Sequence, residues 1–266
     1  MDTVRRRYVK GFTRLSLWYV WRLSKSGSEP FVDVVNKRVN IYRNTSLYDG
    51  KRHPSGEDVG PEWADVVGRL ESLYGMHEND PAAHAFEAEG LALLWPYLAA
   101  RLRATGDGLS GERPYECWSY DYTDSGRLNI HIDNVYRPES PLSEMFTPFA
   151  ASLIRMLRDS RTRRPDITIV RCSSWMNSTP RFRSLFPARW AESEMVNPHI
   201  GYTMGHWGQF MDRRGDFHAG NGRLFRATGT LPFAASACEC EIAEALSHLT
   251  TRFPEAVEYS RRRTSD

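Results

Sequence analysis

The stretch that most limits the fold runs from Leu128 to Arg171, where a strand, a helix and a second strand follow one another directly. "RLNIHIDNVY" alternates apolar and polar residues at the two-residue period of a half-buried strand. "TPFAASLIRMLRDSRTRRPD" sets Phe149, Ala150, Leu153 and Leu157 on one helical face, with Thr147 as the expected N-cap and Pro148 at the first helical position. "ITIV" (Ile167–Val170) then reads as a buried strand. Two strands joined by a helix belong side by side and parallel, which calls for an α/β fold. At 266 residues and 41% hydrophobic the chain is long enough to bury a substantial core around that unit.

Before this unit, "YECWSYDY" and "RLNIHIDNVY" are joined by "TDSG" and predict a hairpin. After it come a helix start at Thr179-Pro180, a short Phe182/Leu185/Phe186 stripe, and an expected strand over Ala188–Val196. In the N-terminal part, Val32–Val35 and Val39–Tyr42 are expected as paired strands. Trp63, Val66, Val67, Leu70 and Leu73 mark one helix, and "AAHAFEAEGLALLWPYLAARLRA" a second, bent at Pro96. "GKRHPSGEDVGP" reads as a loop, and "TGDGLSGERP" as a flexible link. The division expected is 1–110, a strand and helix-pair subdomain, and 111–266, the α/β part. The aromatic stretch Phe12–Leu23 is interrupted by Arg14 and Arg22 and is too short and charged to span a membrane. With four cysteines in no C-x-x-C pair, the expected setting is the reducing cytoplasm, with no membrane partner.

Net charge is +2, so charge alone implies no nucleic-acid role. There is no Walker A loop, Rossmann glycine fingerprint or G-x-S-x-G elbow. His131 and Asp133 have the H-x-D spacing of an iron-binding strand, both projecting from the face opposite Ile130 and Ile132. With His199, His206 or His218 they would complete a facial triad, and Arg213 or Arg214 would hold an acidic co-substrate, as in 2-oxoglutarate oxygenases. Those enzymes follow H-x-D with further strands, whereas here a helix follows, so no metal or other cofactor is assigned. Cys238 and Cys240 lie in "ACECEIAEALSHLT", which looks helical and makes them structural. "GYTMGHWGQFMDRRGDFHAGNGRLFRATG" is either a glycine-rich edge strand or a ligand loop in which His206, Trp207 and Gln209 make contact.

Strand, loop, capped helix, strand, short helix, strand resembles the C-terminal half of the GNAT acyltransferases, over roughly 115–196. "SSWMNSTPRFRSLFPARW" is similar to the segment in which that family leaves its fifth strand, with Asn177, Phe182, Leu185 and Phe186 in matching places. The resemblance implies that Leu128–Tyr136 holds the donor arm and Tyr136–Leu142 forms the phosphate loop, with Tyr136, Arg137, Ser140 and Asn177 as binding residues. The family's glycine-rich loop is replaced by "YRPESPLSEM", where Glu139 and Glu144 would oppose a pyrophosphate.

A donor without CoA removes that conflict, and some GNAT-like enzymes use aminoacyl-tRNA. Arg155, Arg158, Arg161, Arg163 and Arg164 would meet its phosphates. The expectation is an α/β protein with a mixed central β-sheet flanked by helices, GNAT-like in the C-terminal half. It would be an acyltransferase passing an aminoacyl or acyl group to a small amine or hydroxylamine acceptor, with His131, Asp133 or His206 as base. An Fe(II) oxygenase and a non-catalytic binding protein are the alternatives.

Overall fold

The computed structural model describes residues 3–50, 53–55, 60–104 and 113–262. Its first helices are α1 (Thr3–Lys25), α2 (Phe31–Lys37), α3 (Pro61–His77) and α4 (His84–Ala104). There follow α5 (Phe146–Arg163), α6 (Pro180–Arg183), α7 (Ala188–Glu192), α8 (Met204–Trp207), α9 (Ala219–Thr228), α10 (Ile242–Arg252) and α11 (Pro254–Arg262). The strands are β1 (Trp118–Tyr122), β2 (Arg127–Ile132), β3 (Ile169–Ser174), β4 (Met195–Val196) and β5 (Ser236–Glu241). The chain is thus a mixed α/β protein. It forms two compact units, Met1–Ser110 with His199–Pro232, and Gly111–Pro198 with Phe233–Asp266. Most of the expected link, residues 105–112, and residues 51–52 and 56–59 of the expected loop lie outside the described residues. Among the described residues no helix is long and apolar enough to cross a membrane.

Among its described residues the first unit has helices, 3-10 turns and connecting loops and no strand, only an isolated bridge between Met211 and Phe217, which corrects the strands expected there. Val32–Val35 lies in α2, and Tyr42 opens a short 3-10 turn ending at Asn44. The reason is spacing: Phe31, Val34 and Val35 are buried at i, i+3 and i+4 while Val32 is 42% exposed. That single apolar face outweighs the β-preference of valine. The glycine-rich segment is no edge strand either. It folds as α8, a 3-10 turn over Gly208–Phe210 and α9, and it buries Trp207, Phe210 and Phe225 beside Phe12 and Tyr19 of α1. Pro96 sits inside α4 without ending it.

Phe217 is wedged against two glycines. A Cβ on Gly11 of α1 would meet its ring at 2.5 Å, and one on Gly222 of α9 at 2.7 Å. Arg226 of α9 grips the nearly buried Glu87 of α4 through two hydrogen bonds of 2.6 and 2.8 Å.

The second unit is built on a five-stranded sheet of order β1-β2-β3-β5-β4. β1 and β2 form the expected antiparallel hairpin, turned at Thr123–Gly126 with Gly126 at φ 71°. β2 and β3 are parallel across α5; β5 runs antiparallel to both β3 and β4. All five strands come from this unit, so the first unit lends the sheet none of its residues. α5 lays Phe149, Ala150, Leu153 and Leu157 on Leu128, Ile130, Val170 and Cys172. Trp118 stacks on Phe149 at 4.4 Å and donates its indole N–H to the Phe149 carbonyl. α10 and α11 add Ile242, Ala245, Leu249 and Ala256 to the same core.

Two local expectations change here. Ala188–Val196 is mostly helix α7, because Pro187 opens a helical turn that buries Trp190, and only Met195–Val196 pairs as strand. Cys238 and Cys240 lie on β5, not on a helix. They are buried in alternation with the more exposed Glu239 and Glu241, and helix begins only at Ile242.

Two predictions concern the first unit. On an open helix Gly→Ala gains up to about 1 kcal/mol, but at Gly11 overpacking against Phe217 costs about 1–3 kcal/mol. Gly11→Ala should therefore lower the urea midpoint, and a raised midpoint would refute this packing. Burial, reinforced by the Arg43 charge, pushes His53 down to about 4, and burial also lowers His206. Unfolded histidine titrates near 6.5, so below that pH the unfolded chain binds protons that the folded chain refuses. Stability should fall as pH drops from about 6.5 toward 4. His53→Gln should flatten the decline in melting temperature over that range; an unchanged slope would count against it.

Candidate active site

The site grows from the way β2 and β3 pair. β1 and β2 are in register over five residues and β3 and β5 over six, but β2 and β3 over only three, Arg127–Asn129 against Ile169–Arg171. Which backbone edge faces the gap is fixed by the outer neighbours. The Asp133 N–H donates to the Cys117 carbonyl at 2.9 Å, so odd-numbered residues of β2 turn their backbone to β1. The Ile242 N–H donates to the Thr168 carbonyl at 2.7 Å, so even-numbered residues of β3 turn theirs to β5. Ile132 on one side and Ser173 on the other therefore aim backbone groups into a seam where the ladder has ended. An extended ligand could pair with those groups as an added strand does.

Asn177 keeps the far wall in place. Its side-chain N–H groups donate to the Cys172 and Ser236 carbonyls at 3.1 and 2.8 Å, and its oxygen accepts from the Trp190 indole at 3.1 Å. Fully buried and fully bonded, it is a structural clamp between β3 and β5 and has nothing left for a substrate.

One face of the sheet is core and the other is polar. On the polar face His131 is half-exposed and its Nε2 lies 2.6 Å from Asp121 Oδ2. Since a carboxylate only accepts, this contact calls for a proton on Nε2, which in the neutral ring leaves the lone pair on Nδ1. Asn129 donates to the other Asp121 oxygen at 3.2 Å. Arg127 pairs with Glu239 at 3.0 Å. Two residues on from the last register pair, His131 and Ser173 face the same side from opposite walls of the seam, and Ser173 is exposed. Asp133 does not join them: it pairs with Arg113 at 3.0 Å and Arg137 at 3.4 Å.

The loop after β2 is closed on itself. Asn134 accepts from the Tyr136 N–H and donates to the Glu139 carbonyl, both at 2.9 Å. The Ser140 N–H donates to the Glu144 carboxylate at 3.0 Å, and the Ser140 hydroxyl accepts from the Leu142 N–H at 3.2 Å. Glu144 also takes the Ser143 hydroxyl. The loop before α5 thus has the Ser140 N–H and the Ser143 hydroxyl already bonded to the chain's own carboxylate, Glu144.

Beneath the loop, Glu116 (φ 56°) accepts from the hydroxyls of Tyr136 and Ser152, and Arg155 lies 3.7 Å from it. Burial, with the carboxylate adding to it, drives the Tyr136 hydroxyl far above its ordinary pKa. Arg155 is only 12% exposed, so it leaves the set expected to face RNA. Arg158, Arg161, Arg163 and Arg164 are exposed, although Arg164 is held by Asp166 at 2.7 Å.

His206, Trp207 and Gln209 belong to the other unit and pack inward there. The Trp207 N–H is shared by the Arg38 and Gly201 carbonyls at 3.0 Å each, and the Gln209 amide donates to the His206 carbonyl at 2.8 Å. Among the described residues no three His, Cys, Asp or Glu side chains are grouped to hold a metal, and His131 and Asp133 each have a different partner. Burial pushes the thiols of Cys117 and Cys238 up to about 11 and those of Cys172 and Cys240 to about 12, which leaves them protonated and poor nucleophiles. Comparison with protein-family models, with curated proteins and with solved structures found no match to this chain.

Asp121, Arg171 and Ser173 are the site residues that spacing alone did not pick out. The "TDSG" turn carried the signal for the first, since a hairpin closed there sets Asp121 beside Asn129 and diagonal to His131. Arg155 and Arg158 provide a test of which arginines are structural. Arg155→Met strands the Glu116 charge and should cost about 3 kcal/mol in urea unfolding. Arg158→Glu on the open surface should change stability by less than about 0.5 kcal/mol. Equal costs would refute the distinction.

Proposed function

We propose that the second unit is a GNAT-like acyltransferase that moves an aminoacyl group from aminoacyl-tRNA to a small amine or hydroxylamine acceptor. The observation that carries this reading is the seam in which parallel β2 and β3 part after three register pairs. A donor arm lying there would meet the free backbone edge at Ile132 and Ser173 and bring its carbonyl between the two walls. Strand order and the α5 crossover are consistent with the resemblance that Leu128–Arg171 suggested.

The donor follows from charge. Glu144 already takes the Ser140 N–H and the Ser143 hydroxyl in the loop that would have to hold a CoA pyrophosphate, and Glu139 adds a second like charge nearby. A tRNA puts its phosphates elsewhere, and exposed Arg158, Arg161 and Arg163 lie at the far end of α5, roughly 20 Å from its first turn. In the transfer the amine nitrogen attacks the ester carbonyl, and His131 Nδ1 takes its proton while Asp121 fixes the ring and balances the charge formed. The proton then goes to the departing ribose oxygen.

The test is turnover with charged tRNA and, separately, with acetyl-CoA, against a panel of small amines, read by product mass. Amide product from charged tRNA is expected, with His131→Ala slowing it roughly a hundredfold or more at unchanged melting temperature. Product from acetyl-CoA alone would overturn the donor assignment; a His131→Ala variant at full rate would overturn the base.

A further inference from the structure

The Ser173 side chain has no part in the direct transfer just described, yet its setting is that of a nucleophile. We infer that Ser173 carries the acyl group covalently, with Asp121 and His131 as its relay and Arg171 as the group that holds the oxyanion. For the identity of the acyl group this rests on the acyl-transfer reading; for the reactivity of Ser173 it does not.

Three neighbouring strands supply the parts on one sheet face. Asp121 is on β1, His131 on β2, and Arg171 and Ser173 on β3. Asp121 fixes the His131 tautomer through the 2.6 Å contact to Nε2, which leaves Nδ1 as the basic nitrogen. Among the described residues neither His131 Nδ1 nor the Ser173 hydroxyl has a hydrogen-bond partner, and the two stand on opposite walls of the seam with no hydrogen bond between them, so both are available to a ligand bound there. Its exposure sets Ser173 apart from Ser174, which is buried and bonded to the Met176 N–H at 3.1 Å.

A second observation points to a ligand at the same place. Arg171 sits two residues before Ser173 on the same face, and its Nε is buried with no hydrogen-bond partner. A guanidinium N–H kept from water without an acceptor is costly, and an oxygen bearing developing negative charge would satisfy it. The Ser173 backbone N–H, which faces the seam, would be the second donor.

The chemistry balances in two steps. First the Ser173 oxygen attacks the ester carbonyl, its proton passes to His131 Nδ1, and the carbon–oxygen bond to the ribose breaks. The ribose oxygen leaves with that proton, and an acyl-serine ester remains. Then the acceptor amine attacks the ester, His131 takes its proton, the bond to Ser173 breaks, and the serine oxygen recovers the proton as amide is released. No oxidant, metal or further reactant is required.

An alkyl fluorophosphonate tests the nucleophile without any acyl donor, because it bonds to an activated serine oxygen and expels fluoride. The full chain should be labelled once, with the added mass on the peptide that contains Ser173. Ser173→Ala should abolish labelling; His131→Gln and Arg171→Gln should each slow it tenfold or more, with melting temperatures unchanged. Incubation with charged tRNA and no amine, followed by acid quench, should leave the aminoacyl mass on Ser173. Labelling absent from Ser173, or transfer at the full rate by Ser173→Ala, would overturn the inference and leave the acyltransferase reading standing. Labelling of Ser173 with no transfer from either donor would do the reverse, keeping the nucleophile and sinking the function.

Discussion

A strand inside a sheet has backbone donors and acceptors on both edges, and each must find a partner or reach water. β2 and β3 meet that requirement fully on their outer edges and only partly on the edge they share. Each follows its outer neighbour. β2 is carried along β1 as far as Asp133, whose N–H is tied to Cys117, while β3 stays with β5 to Ser174, clamped by Asn177. The two middle strands are thereby pulled apart at one end. With the outer ladders shortened, β2 and β3 could zip further and the seam would close.

What keeps the opening in one shape is the polar cluster beneath it. Glu116, in the left-handed backbone region that a residue with a side chain seldom adopts, turns its carboxylate inward. There it gathers the Tyr136 and Ser152 hydroxyls and the Arg155 guanidinium. Tyr136 comes from the loop, and Ser152 and Arg155 from α5, so one carboxylate ties the hairpin, the loop and the helix together. Such a cluster is weak evidence for stability, since desolvation offsets much of its attraction. Its more direct consequence is position: the loop cannot shift without leaving a buried charge unpaired.

The sequence disclosed the second unit better than the first, for a physical reason. Leu128–Arg171 combines a two-residue period, a 3.6-residue period and a return to apolar strand, and each period matches the element formed, although the helix starts at Phe146 with Met145 as its N-cap and so takes in Thr147, the expected cap. Val32–Tyr42 failed because valine content was weighed above spacing, although Phe31, Val34 and Val35 share one helical face. Cys238 and Cys240 failed the opposite way, because the helical pattern after Ile242 was extended back over residues that alternate. The site was half legible. His131 was visible, whereas its pairing with Asp121 depends on hairpin register and the position of Ser173 on a parallel register set by α5. Neither long-range fact is written in local spacing. Asn177 shows the converse, since a matching place in a family segment turned out to be a buried clamp.

Asp133 shows how two equally spaced residues come to have different work. The H-x-D pair starts as two polar side chains on one face of one strand, and in isolation nothing distinguishes them. Strand β2 ends at Ile132, however, so His131 sits inside the ladder beside β1 while Asp133 is its closing residue, held to β1 by its backbone N–H alone. The ladder gives His131 a fixed neighbour, Asp121, at hydrogen-bond distance. At the ladder's end, the Asp133 side chain is free to turn toward the two arginines that flank the loop, Arg113 and Arg137. A shared metal would need both side chains turned to one point. Here the end of a strand separates them, and His131 is left with a single carboxylate partner, Asp121.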